Sequence, residues 1–86
     1  MDRIIIDVRE PFDYKMGHVR GAINIPLSKL MNGSKTMNGT SGDSEIIIYC
    51  DSGSRSGVAT NILKSMGYVN TINGINKINV IAKYGA

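Results

Sequence analysis

Apolar residues along this chain fall into short unbroken runs separated by polar, glycine-containing segments. Arg3-Ile4-Ile5-Ile6-Asp7-Val8 is nearly all β-branched, and a continuous run without alternation is what a strand covered on both faces requires. Glu45-Ile46-Ile47-Ile48-Tyr49 repeats that pattern, with Cys50 directly after it. Shorter apolar runs over residues 22–25, ending at Pro26, and over residues 69–72 predict two further strands. Between these runs the spacing changes to three and four. Pro11 after Glu10 suits the first turn of a short helix reaching about Met16, with Gly17 as its stop. Leu27, Leu30 and Met31 predict a helical turn closed by Asn32-Gly33. Ala59, Ile62, Leu63 and Met66 fall at i, i+3, i+4 and i+7, so residues 55–66 read as an amphipathic helix capped by Gly67. Asn73-Gly74 predicts a turn, and Ile75, Ile78, Ile81 and Ala82 suggest a last helix. Residues 32–44, rich in Asn, Gly, Ser and Thr, read as a flexible surface loop. Strands alternating with helices imply an α/β fold: a small parallel sheet of four or five strands flanked by helices on both faces.

Composition narrows this without changing it. Eighty-six residues suit one domain over residues 1–86, able to bury roughly 60–65% of the surface its unfolded chain exposes. Hydrophobic residues at 42% and charged residues at 20% exclude a disordered chain. The longest apolar stretch is the five residues Ile46 to Cys50, far short of a membrane span. The net charge of +3 comes from scattered basic residues, which argues against a nucleic-acid groove. No signal peptide is visible, so a cytoplasmic location is expected, with the periplasm as the alternative if the chain is a mature fragment. One cysteine and one histidine exclude an internal disulfide and a standard structural zinc site. Cys50 is therefore either a small buried hydrophobe or a reactive lone thiol.

The segment Cys50-Asp51-Ser52-Gly53-Ser54-Arg55-Ser56 favours the second. It lies between a buried strand and an amphipathic helix, at the carboxyl end of a parallel sheet, where α/β proteins bind ligands. The helix start offers unpaired N–H groups and positive potential. The small residues Ser52, Gly53 and Ser54 allow those amides to curl into an anion nest. A thiol at the mouth of such a nest has a lowered pKa, and Arg55 adds a fork suited to an oxyanion.

Taken with this segment, the chain resembles the rhodanese-like sulfurtransferases over nearly its whole length. The resemblance is carried by Asp7-Val8-Arg9-Glu10 with Tyr14, by Gly17-His18-Val19 with Gly21-Ala22 and Asn24-Ile25-Pro26, by Tyr49-Cys50 through Arg55-Ser56, and by Met66-Gly67-Tyr68. In length and ending it is similar to the small single-domain, phage-shock-protein E type. The family implies a loop of six residues from cysteine to arginine, as residues 50–55 provide; related cysteine phosphatases use one residue more. A six-residue cradle suits a persulfide sulfur, whereas a phosphate needs the larger ring.

The resemblance implies covalent, ping-pong sulfur transfer. Cys50 takes the sulfane sulfur of a small anionic donor such as thiosulfate or a persulfide. It then passes that sulfur to a thiophilic acceptor: cyanide in the test tube, a thiol or a protein in the cell. No metal or organic cofactor is needed. Arg55 is expected to orient the donor, Asp51, Ser52, Gly53 and Ser54 to line its site, and Ser56 to support the loop. Asp7 and Arg9 are expected to make structural bonds, and His18 to be architectural. The chain departs from the family in having Asn73-Gly74 where a Gly-Gly pair is common, and in lacking tryptophan. Asp51 also sets a negative charge beside the thiol. Alternatives are a sulfur-carrier or protein-binding module without catalysis, and a phosphatase-like or redox-sensing thiol.

Overall fold

The computed structural model describes residues 3–33 and 37–85. In chain order the elements are β1 (Arg3–Asp7), α1 (Pro11–Met16), β2 (Ile23–Asn24), α2 (Leu27–Met31), β3 (Glu45–Tyr49), α3 (Ser54–Ser65), β4 (Thr71–Ile75) and α4 (Lys77–Tyr84). The four strands form one parallel sheet in the order β2-β1-β3-β4, so the predicted α/β architecture is the one observed.

The unbroken apolar run of β3 has its reason in the two faces of this sheet. Ile46, Ile48 and Cys50 point to one side, where they pack with Ile6, Val8, Leu30, Ala59 and Leu63 under α2 and α3. Ile47 and Tyr49 point to the other, against Ile5, Val19, Ala22 and Val80 under α4. Side chains alternate along a strand, so a central strand covered on both faces must be apolar at every position. Ile46, Ile47, Ile48 and Tyr49 are all fully buried. No helix among the described residues is long and apolar enough to cross a membrane.

Three sequence expectations are corrected. The fourth strand runs over Thr71–Ile75, not residues 69–72, and Asn73-Gly74 is part of it. Ile48 pairs with Asn73 while Tyr49 pairs with Ile75, so Gly74 is the extra residue of a bulge. A Cβ on Gly74 would stand 2.7 Å from Val80 Cγ2, 2.9 Å from Ile47 Cγ2 and 3.1 Å from the Ile48 carbonyl oxygen. The glycine is there for close approach of α4 to the sheet, not for a reverse turn.

That approach also sets the face of α4. Val80, in the space Gly74 leaves, is the residue the helix buries, while Ile75, Ile78 and Ile81 remain 42%, 79% and 48% exposed. The apolar spacing of those three isoleucines does not mark the core face. Lastly, the segment read as a surface loop sends Met37 into the core beside Ile6 and Ile46, and the Tyr68 hydroxyl donates to its carbonyl at 3.2 Å. Part of that loop, residues 34–36, lies outside the described residues.

Candidate active site

The carboxyl ends of β1, β3 and β4 meet at one edge of the sheet, and Cys50 stands at their centre. Its backbone N–H donates to the Ile75 carbonyl at 3.1 Å, continuing the β3–β4 ladder by one residue. The chain then turns through Asp51, Ser52 and Gly53 into α3. Gly53 adopts φ +93°, in the left-handed region open chiefly to glycine, and a Cβ there would meet Ile75 Cγ2 at 3.3 Å.

This turn folds the start of α3 back over the thiol. The Gly53 N–H donates to Cys50 Sγ at 3.1 Å and the Ser56 N–H at 3.4 Å. Ser56 Oγ lies 3.3 Å from the sulfur. Cys50 is 2% exposed. Burial pushes its thiol up. The Ser56 hydroxyl and the backbone N–H groups of Ser56, Ser52 and Gly53 pull it down, and the hydrogen bonds win: the pKa lies below that of an ordinary thiol. The hydroxyl has a single hydrogen, and Ser56 Oγ also donates to Asn73 Oδ1 at 2.6 Å. Donation to a thiolate therefore competes with that bond, whereas the backbone amides meet no such competition.

Asn73 ties the cradle to β4. Its Nδ2 donates to the Gly53 carbonyl at 3.1 Å, and its Oδ1 accepts the Ile75 N–H at 3.0 Å as well as the Ser56 hydroxyl. Ile75 takes φ +74°, an outlier for a β-branched residue. Reading the sequence as a turn at 73–74 missed both residues, and only the Asn-Gly in place of a Gly-Gly pair hinted at them.

The charged residues sort into two groups. Arg9 forks onto Asp7 through Nε and Nη2, at 3.0 and 2.7 Å, and Nη2 also donates to the Gly17 carbonyl at 2.7 Å. The hydrogen bond to the Asp7 carboxylate raises the Arg9 pKa further against the opposing cost of burial. The Tyr49 hydroxyl donates to Asp7 at 2.8 Å and accepts the Val19 N–H at 3.0 Å. Burial, with the Asp7 charge beside it, pushes Tyr49 up to about 12. Asp7 and Arg9 are thus a buried brace between loops, the structural role expected of them. At the surface, Arg55 donates to Asp51 at 3.2 Å, and Arg9 Nη1 lies 3.8 Å from the same carboxylate. The negative charge of Asp51 therefore faces two guanidinium groups.

An open hollow of about 210 Å³ lies over the thiol, lined by Cys50, Asp51, Asn76, Lys77 and Ile78. The structure brings Cys50, Gly53 and Ser56 together in the cradle. Ser52 and Ser54 stand exposed at its outer side, their hydroxyls 3.4 Å apart. Arg55 is held against Asp51 and does not line the hollow. His18 stacks on Tyr14, with ring centroids 3.7 Å apart, and hydrogen-bonds the Tyr14 carbonyl. A larger hollow of about 480 Å³, lined by Glu45, Lys64 and residues 69–72, sits at the opposite end of the sheet from Cys50.

Residues 1–78 match the family model described as rhodanese-like domain. The thiosulfate sulfurtransferase PspE of Escherichia coli K12 is 43% identical over 68 residues, covering 79% of this chain and 64% of that protein. The thiosulfate:glutathione sulfurtransferase of Saccharomyces cerevisiae is 35% identical over 78 residues, covering 79% of this chain and 56% of that protein. Among solved structures, a rhodanese with anions from E. coli is similar with a TM-score of 0.79 at 35% identity, covering 90% of this chain and 89% of that one. The chain spans less than two thirds of the length of these curated relatives.

Proposed function

The chain belongs to the rhodanese-like domain family, and we propose that residues 1–86 act as one sulfurtransferase domain in which Cys50 carries the sulfur as a persulfide. The observation that carries this reading is the Gly53 and Ser56 amides aimed at a single sulfur atom at 3.1 and 3.4 Å. Such amides stabilise negative charge on sulfur as an oxyanion hole does on oxygen.

In the first half-reaction the Cys50 thiolate attacks the outer sulfur of thiosulfate. A bond forms between Sγ and that sulfur, the sulfur–sulfonate bond breaks, and its electron pair departs with sulfite. The persulfide anion that remains turns into the cradle of residues 51–56. In the second half-reaction a thiophile attacks the terminal sulfur and Sγ leaves as thiolate. Cyanide would yield thiocyanate, and a thiol, attacking as its thiolate, would yield a persulfide anion. Neither step needs a proton donor or base once Cys50 is ionised, which agrees with His18 being engaged with Tyr14. Asp51 and Arg55 hold each other at the rim, Ser52 and Ser54 offer hydroxyls there, and Ser56 with Asn73 keeps the amides in place. The solved E. coli relative contains anions, which supports an anionic donor here.

The test is an intact mass after thiosulfate alone, followed by thiocyanate formation when cyanide is added. One added sulfur atom, absent in Cys50→Ser, is the expected result. No adduct and no turnover with thiosulfate or a low-molecular-weight persulfide overturns the reading.

A further inference from the structure

Building on the sulfurtransferase reading, we propose that Lys77 is the residue that binds the sulfonate end of the anionic donor. Among the described residues Lys77 is the cationic side chain that lines the hollow, while Arg9 and Arg55, which flank Asp51, already have acidic partners. Arg9 is buried, forked onto Asp7 and bonded to the Gly17 carbonyl. Arg55 is paired with Asp51 and does not line the hollow. Lys77 does line it, together with Cys50. The bond found for its ammonium is a long one, 3.4 Å to the Gly17 carbonyl, and that oxygen already accepts from Arg9 at 2.7 Å. An ammonium has three donors, so Lys77 keeps donor capacity to offer an anion.

The position fits the geometry of transfer. Lys77 is the first residue of α4, whose start is capped by Asn76 through a 2.8 Å bond from the Asn79 N–H. The positive end of this helix lines the hollow together with Cys50, the residue that the cradle at the start of α3 holds. A donor lying between them has its sulfane sulfur against Cys50 and its sulfonate oxygens at Lys77. Asp51, the one carboxylate lining the hollow, faces Arg55 and Arg9, which offsets its repulsion of the donor. The wall lies in the segment where the chain departs from the Gly-Gly pattern, Asn73-Gly74-Ile75-Asn76-Lys77.

Two measurements on the full chain test this. The first is steady-state thiosulfate:cyanide kinetics of Lys77→Gln, Lys77→Arg and Arg55→Gln. Lys77→Gln is expected to raise the thiosulfate KM about tenfold with kcat changed less than about twofold, which corresponds to roughly one charge-assisted hydrogen bond. Lys77→Arg is expected to recover most of that loss, and Arg55→Gln to raise KM less than Lys77→Gln does. The second is the ratio of Cys50 alkylation rates by anionic iodoacetate and neutral iodoacetamide, which reads the charge beside the sulfur without any sulfur transfer. Lys77→Gln is expected to lower that ratio about threefold, and Lys64→Gln, at the far end of the sheet, to leave it unchanged. A mere strap from Lys77 to Gly17 would slow or speed both reagents alike. A thiosulfate KM within twofold of wild type in Lys77→Gln, or an unchanged alkylation ratio, overturns the assignment while sulfur transfer stands. A wild-type chain that forms no persulfide overturns the sulfurtransferase reading and the role of Lys77 together.

Discussion

Replacing Gly74 by alanine adds one methyl group at the most crowded glycine of the protein. The new Cβ would stand 2.7 Å from Val80 Cγ2, 2.9 Å from Ile47 Cγ2 and 3.1 Å from the Ile48 carbonyl oxygen, where ordinary contacts begin near 3.4 Å. Val80 and Ile47 are fully buried, so neither side chain has open space to retreat into. The carbonyl belongs to β3 and shifts only with the ladder. Relief must come from moving α4 and β4 away from β3. Overpacking of this kind costs about 1–3 kcal/mol, and the presence of a backbone atom among the three clashes argues for about 2 or more. In a domain of this size each kcal/mol moves the melting midpoint by about 4–8 °C, so Gly74→Ala should melt roughly 8–16 °C below wild type, followed by circular dichroism. The Cys50 N–H bond to Ile75 runs across the same strand pair, so alkylation of Cys50 at neutral pH should slow in the folded variant. A midpoint within about 2 °C of wild type would refute the close-approach reading of Gly74.

Two further predictions concern the cradle itself. Gly53→Ala forces a Cβ into a left-handed conformation, which costs about 1–2 kcal/mol, and presses it on Ile75 Cγ2; it should lower stability by that amount and reduce thiosulfate turnover more than tenfold, and unchanged turnover would show that the Gly53 amide does not matter. Because the folded-state pKa of Cys50 is depressed, iodoacetamide alkylation should titrate with a midpoint below that of a free thiol, and the stability the thiolate contributes should be complete above the free-thiol pKa and lost as pH falls through the folded one; a midpoint at or above the free-thiol value, or identical stability–pH curves for wild type and Cys50→Ser between those two pKa values, would count against the amide cradle.

The sequence made some parts of this molecule legible and hid others for physical reasons. β1 and β3 could be read because burial on both faces demands an apolar residue at every position, a pattern little else produces. The cradle could be read because it is local: Cys50, Gly53 and Ser56 are close in the chain and their spacing fixes their geometry. β4 was displaced because Asn73-Gly74 has the composition of a turn, and nothing local distinguishes a glycine needed for positive φ from one needed for Val80 to approach. Gly74 is the second kind, having no positive φ. The exposed isoleucines of α4 misled for the same reason, since the inward face was chosen by the space at Gly74. Asn73, Ile75 and Lys77 went unassigned to the site because their relation to Cys50 exists only after β4 pairs with β3.

These hidden residues explain how so small a domain keeps its cradle ordered. Gly53 and Ile75 both take positive φ, and the space where a Gly53 Cβ would stand is closed by Ile75 Cγ2. For glycine this costs little; for a β-branched residue the strain is of the order of 1–3 kcal/mol. Ile75 is held there from both ends, its N–H on Asn73 Oδ1 and its carbonyl on the Cys50 N–H. Asn73 in turn holds the Gly53 carbonyl and the Ser56 hydroxyl. The amides that face Sγ are therefore tied to the neighbouring strand by bonds within the protein. A cradle oriented before the donor arrives loses little entropy when charge develops on sulfur, and this is the condition under which fixed dipoles lower a barrier. The strain at Ile75 is thus set against orientation of the site, and the Asn73 side chain is the link that couples the two.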